Sequence, residues 1–243
     1  MDSQSNERLG VSPRPSDQDP SRRRFLRNAT MGALAVGARL STEFALPSFA
    51  LAQNPSSPDS ALRELMAGNQ RFTTGRLTAH EHDLAILKEH TTEKQEPFAT
   101  VLSCADSRVP VELIFDQSIG HIFVTRIAGN ILTPEIIASI EYGAVVLGSK
   151  VILVIGHGGC GAVKASIQAK SVPGQISALY QHIQPAVDLA GPTLEAAIRA
   201  NAKIQADLLR KTSTVVSGLL KENKLKVMPG YYDLASGAVT LLE

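Results

Sequence analysis

Hydrophobic positions along this chain fall into two rhythms. Residues 98–103 and 150–156 are short apolar runs with no polar alternation, the mark of strands buried on both faces. Residues 121–127, 226–232 and 238–242 read as further strands, the last two around a Ser236-Gly237 turn. Between them the spacing becomes helical. Asp59 or Ser60 can cap a helix carrying Leu62, Leu65, Met66 and Phe72. A second helical stretch covers 83–94 and ends at Pro97. Thr133-Pro134-Glu135 starts a helix that runs to Leu147, where Gly148 stops it. Helical patterns then occupy 162–169, 176–189, 193–209 and 213–222, with Pro185 and Gly191-Pro192 as breaks. Strand, helix and strand at this spacing predict right-handed parallel crossovers. The expected fold is therefore α/β, a single domain with a central, mainly parallel β-sheet flanked by helices. Sites in such sheets lie beyond the carboxyl ends of the strands.

The first 52 residues do not share this pattern. Residues 1–20 are rich in Ser, Pro, Asp and Arg and read as disordered. Ser21-Arg22-Arg23-Arg24-Phe25-Leu26-Arg27 resembles a twin-arginine export signal, followed by a mildly apolar stretch over 29–38 and by Ala50-Leu51-Ala52 before Gln53. That is the layout of a cleavable signal. The apolar stretch is far short of the roughly 20 residues a spanning helix needs, and Arg39 and Glu43 interrupt any extension. The expectation is a tail and signal over 1–52 and a catalytic domain over 53–243. A cytoplasmic precursor would be handed to the twin-arginine machinery and released to the periplasm or cell envelope, with no stable membrane insertion after processing.

Composition narrows the function. With 44% hydrophobic residues in 243, the chain can bury one substantial core. Without residues 1–52 it carries 17 basic and 18 acidic residues, which leaves no basic stripe for nucleic acid. The two cysteines of the chain sit just beyond the two apolar runs. Cys104-Ala105-Asp106-Ser107-Arg108 sets a thiol, a carboxylate and a guanidinium at alternate positions, which in an extended strand end point the same way. Gly156-His157-Gly158-Gly159-Cys160-Gly161 adds an imidazole and a second thiol. Cys104, His157 and Cys160 form a soft sulfur and nitrogen set that suits zinc, and three protein ligands with a fourth position open is the catalytic pattern. A Cys104–Cys160 disulfide or redox pair is the competing reading, but it leaves His157, Asp106 and Arg108 unexplained. The Gly156-x-Gly158-x-x-Gly161 spacing also suggests a dinucleotide loop, although metal-type side chains fill its gaps.

Cys104-x-Asp106-x-Arg108 followed by His157-x-x-Cys160-Gly161 resembles the paired signature of the β-class carbonic anhydrases. The likeness extends over Gly68-Asn69-Gln70-Arg71-Phe72, Arg126-Ile127-Ala128-Gly129-Asn130, Glu141-Tyr142-Gly143 and Tyr232-Asp233-Leu234-x-Ser236-Gly237. It departs from the family at Ile127, Gly158 and His121, where Asn, Ser and an acidic residue are usual. The resemblance implies Zn2+ on Cys104, His157 and Cys160, with Asp106 either completing the coordination or paired to Arg108 so that water can bind. Zinc-bound hydroxide would then hydrate carbon dioxide to bicarbonate and a proton. It also implies that Gln95 holds bicarbonate, that the N-terminal helix crosses onto a partner subunit, and that the protein is a homodimer or higher homo-oligomer. The rivals are hydrolysis of carbonyl sulfide or carbon disulfide on the same scaffold, and a non-catalytic zinc- or bicarbonate-binding homologue. His121 is read either as a proton shuttle or as a solvent-facing residue.

Overall fold

The computed structural model describes residues 54–79, 94–169 and 171–243. The tail and signal expected over 1–52, and nearly all of the helix expected over 83–94, lie outside the described residues.

Five strands form one sheet: β1 (Ala99–Ser103), β2 (Ile122–Arg126), β3 (Val151–His157), β4 (Lys226–Tyr232) and β5 (Val239–Leu241). Their order is β2-β1-β3-β4-β5, parallel throughout except for the antiparallel β4–β5 pair. The sheet is mainly parallel, as the alternation of strand and helix patterns predicts. Connections from β1 step to β2 on one side, and β3 then returns to the other side of β1. This reversal opens a crevice at the carboxyl ends of β1 and β3, the usual location of a ligand site in a wound α/β sheet.

Both faces of the sheet are covered, which explains why β1 and β3 carry no polar alternation. Ala99, Val101, Val151, Leu153 and Ile155 point to one side, where they meet Ala61 and Leu65 of α1 (Pro58–Thr73) and Val111 and Ile114 of α2 (Val111–Ile114). Leu102, Ile152 and Val154 point to the other, against α3 (Pro134–Glu141), α6 (Leu194–Thr212) and α7 (Thr214–Lys221). A third cluster caps the carboxyl end of the sheet, joining Cys104, Cys160 and Tyr231 to Val163 of α4 (Gly161–Gln168), Ile183 of α5 (Tyr180–Ala190) and Ile198 of α6.

Local chemistry sets the helix boundaries. Ser57 and Ser60 form a reciprocal capping box at the start of α1. Thr133 accepts the Ile136 amide and Pro134 opens α3. That helix widens into a π turn over Tyr142–Val146 before Gly148, in the left-handed region at φ 78°, ends it. Within the turn, a Cβ on Gly143 would lie 2.6 Å from Thr100 Oγ1, so the helix approaches the sheet only because that residue is glycine.

One expectation is corrected. Pro185 does not break its helix but lies inside α5. Pro185 lies on the exposed side of the helix, while Ile183 and Ala186 anchor the buried side. The N-terminal helix α1 packs against the core of its own chain. Ala61 and Leu65 are fully buried in the core, and Asn69 donates to the Ile114 and Gly237 carbonyls and accepts the Val239 amide.

Candidate metal centre

The crevice between β1 and β3 holds the predicted ligands. Cys104 follows the last residue of β1, and His157 is the last residue of β3. A turn through Gly158 and Gly159, the latter at φ 65°, brings Cys160 back to the start of α4. The Cys104 and Cys160 sulfurs are 4.0 Å apart, and one ligand atom from each of Cys104, His157 and Cys160 lies within 4.8 Å of the others. All three residues are buried.

Their protonation is set by one another. The hydrogen bond from Cys160 is the largest influence on the Cys104 thiol; helped by His157 and the Gly129 and Asp106 amides, it outweighs burial and brings the pKa down to about 4. Cys160 is pushed up by that same shared proton and by burial. The pair thus gives up its first proton more easily than its second. Both sulfurs ionise together only when a positive charge lies between them. His157 Nδ1 sits 3.0 Å from the Gly158 carbonyl, which can only accept, so Nδ1 carries the proton. Nε2 is left with a free lone pair, buried and without a hydrogen-bond partner. An orphaned imidazole nitrogen beside two thiols is a donor set that fits a tetrahedral thiophilic metal.

Asp106 stands at the rim of this trio rather than within it. Arg108 takes both carboxylate oxygens, Nε to Oδ1 at 2.9 Å and one Nη to Oδ2 at 2.8 Å, and its backbone amide adds a third bond to Oδ1. These bonds hold the Asp106 carboxyl well below the usual carboxylate range, against a smaller opposing contribution from burial. Asp106 Oδ2 is 3.9 Å from His157 Nε2.

The family model described as "Carbonic anhydrase" matches residues 99–239, more than half of the chain. The chain belongs to the carbonic anhydrase family. Over 197 residues it is 32% identical to a carbonic anhydrase of Mycolicibacterium smegmatis, covering 76% of this chain and 94% of that protein. Among solved structures it is similar to the β-carbonic anhydrase CcaA at a TM-score of 0.61 and 27% identity, covering 76% of this chain and 88% of that one. It is also similar to a Coccomyxa β-carbonic anhydrase in complex with acetazolamide, at 0.56 and 26%, covering 66% and 80%.

Two sequence-predicted residues of the enzyme lie elsewhere. Gln95 is exposed and precedes β1, whereas Cys104 follows it. Five strand residues at about 3.3 Å each put the two ends roughly 16 Å apart, so Gln95 does not meet the metal centre of its own chain. His121 is at that same amino end, its ring edge-on to Phe98 with centroids 6.4 Å apart.

Sequence reading missed the residues that hold the site in place. Arg126, the last residue of β2, donates from Nε to the Cys104 carbonyl at 3.0 Å and from an Nη to the Asp106 carbonyl, clamping the loop between thiol and carboxylate. The Gly129 amide donates to Cys104 Sγ at 3.3 Å. Both residues lie in the Arg126-Ile127-Ala128-Gly129-Asn130 motif, which signalled a shared family but no role.

Proposed function

We propose that the enzyme binds one Zn2+ through Cys104, His157 and Cys160 and catalyses the reversible hydration of carbon dioxide to bicarbonate. The observation that carries this reading is the buried Cys–His–Cys trio, with its unpartnered Nε2, beside a carboxylate already engaged by arginine. Zinc held there would supply a water of lowered pKa, and hence a nucleophile near neutral pH. The chain's residues do the rest. Asp106, kept ionised by Arg108, can accept an O–H hydrogen bond and orient the nucleophile. Arg108, by holding both Asp106 oxygens, keeps that carboxylate from becoming a fourth ligand, which speaks against a permanently closed, non-catalytic site. Gln95 can contribute to bicarbonate only from another copy of the chain.

Such a copy is part of the proposal. β2 is an edge strand among the described residues, and the π turn beside it exposes Tyr142, Val145 and Val146 by 47%, 57% and 63%. An open strand edge flanked by exposed apolar side chains favours self-association, and a homodimer or higher homo-oligomer covers it.

Stopped-flow measurement of carbon dioxide hydration tests the reading, with carbonyl sulfide and carbon disulfide as competing substrates. We expect hydration by zinc-replete protein, its loss on chelation and its return with zinc. No acceleration by protein shown to hold zinc would overturn the catalytic assignment.

A further inference from the structure

Helix α6 carries two amides where its buried face calls for apolar side chains. Asn201 and Gln205, one turn apart, are each 1% exposed, among Ala197, Ile198, Ala202 and Ala206. Burying an unpaired amide costs on the order of 1–3 kcal/mol, and here the bonds formed all run toward the metal centre or brace those that do. Asn201 Nδ2 donates to the Gly129 carbonyl at 2.8 Å. Gln205 Nε2 donates to Asn201 Oδ1 at 3.2 Å and to the His182 carbonyl at 3.0 Å, while its Oε1 accepts the Leu132 amide at 2.8 Å. The two side chains thus grip residues 129–132 at both ends.

Gly129 joins this grip to the site. It sits at φ 78°, and a Cβ there would lie 2.8 Å from Ile183 Cδ1, so no side chain fits at this position. In that arrangement its carbonyl takes Asn201 and its amide meets Cys104 Sγ at 3.3 Å. The same helix presses on the other ligand strand, because a Cβ on Gly156, next to His157, would be 2.8 Å from Ile198 Cγ2.

We infer that Asn201 and Gln205 are positioning residues for the metal centre, fixing the Gly129 amide against the Cys104 sulfur. The inference rests on the assignment of zinc to the trio. An amide donor draws charge from a thiolate, so the sulfur donates less to the metal, and the bond also fixes where the sulfur stands.

Zinc affinity by chelator competition and the thiolate-to-metal charge-transfer band of the cobalt(II)-substituted protein test the inference. The variants are Asn201→Ala and the shape-conserving Gln205→Met, with Leu209→Ala as control. Leu209 is fully buried on the same helix but packs in the cluster away from the ligands. Asn201→Ala should weaken zinc binding by about 10-fold or more and move the band to lower energy, as a sulfur freed of its donor gives charge more easily. Gln205→Met should shift both the same way by less, and it carries the test alone if Asn201→Ala does not fold. Leu209→Ala should lower the unfolding midpoint and leave affinity and band unchanged. Wild-type affinity and band in Gln205→Met and in any folded Asn201→Ala, or equal changes in Leu209→Ala, would overturn the inference. Wild-type protein that binds neither ion would instead overturn the zinc assignment.

Discussion

Replacing Gly68 by alanine sets two effects against each other, and the structure says which prevails. Alanine in a helix interior is favoured over glycine by about 1 kcal/mol, so propensity alone predicts a more stable protein. An ideal Cβ on Gly68, however, lies 1.8 Å from the Phe115 carbonyl oxygen and 2.7 Å from its carbon. Ordinary C···O contact begins near about 3.3 Å, so helix and loop would have to separate by roughly 1.5 Å. That movement is blocked on two sides. Ala61 and Leu65 are fully buried under α1, and Asn69 makes three buried hydrogen bonds to Ile114, Gly237 and Val239. Strain of about 1–3 kcal/mol plus partial loss of Asn69 bonds worth about 1 kcal/mol each exceeds the propensity gain. The net expectation for Gly68→Ala is about 3 kcal/mol of destabilisation. Urea unfolding of the zinc-replete protein reads this as a midpoint lowered by about 1.5 M, for a slope near 2 kcal/mol/M. Gly218→Ala is the internal control: it lies in α7 with no atom within 4 Å of its ideal Cβ, so propensity acts unopposed and the midpoint should rise slightly. A Gly68→Ala protein as stable as wild type would refute the close packing of α1 against the Phe115 carbonyl.

Four further outcomes are expected. Cys160→Ala should purify without stoichiometric zinc by elemental analysis, since two ligands cannot hold the ion against solvent; full occupancy would end the ligand assignment. Arg108→Ala should keep its zinc and lose most carbon dioxide hydration, because nothing then restrains Asp106 from the fourth position; a wild-type rate would remove Arg108 from the mechanism. Asp106 has a depressed pKa, so its pairing with Arg108 is fully present above the unfolded carboxyl value and is lost only as pH falls through the lower folded value. The Asp106 carboxyl group, followed by NMR titration, should therefore stay ionised as pH falls past the usual carboxylate value, and a midpoint at or above about 4 would contradict the geometry. Replacing Arg22 and Arg23 by lysine should strand an active, zinc-loaded precursor in the cytoplasm; efficient export of that variant, followed by cell fractionation, would dismiss the twin-arginine reading.

What could be read from the sequence was governed by range. Strands β1 and β3 were legible because burial on both faces removes polar alternation, and Cys104, His157 and Cys160 because each stands just where such a run stops. A strand end is a local event, and the parallel crossover then brings two of them together. Arg126 offered no comparable signal. Its role as a clamp depends on the parallel register that sets Ser103 beside it, which no spacing along the chain expresses. Asn201 and Gln205 read as ordinary polar positions of a helix, since only tertiary packing shows that they face inward. Pro185 reads as a break because a missing donor is a local fault, whereas the burial of Ile183 and Ala186 that offsets it is not. Family likeness puts Gln95 at the site, whereas strand direction puts it at the other end of β1 from Cys104.

The choice between a metal and a disulfide for the two cysteines turns on charge and on one nitrogen. Either outcome neutralises the sulfurs: oxidation removes both thiol protons and joins them, while a divalent cation balances two thiolates to zero net charge. That balance matters, because an uncompensated charge in so apolar a surround would cost several kcal/mol. The neighbouring Asp106–Arg108 pair is itself neutral and leaves the total undisturbed. The imidazole separates the two cases. A Cys104–Cys160 disulfide would leave His157 Nε2 buried with no partner, at a cost of about 1–3 kcal/mol, whereas a tetrahedral cation takes that lone pair with both sulfurs. Only a metal would satisfy all three groups at once, held by Cys104, His157 and Cys160 beside Asp106, the carboxylate that Arg108 keeps occupied.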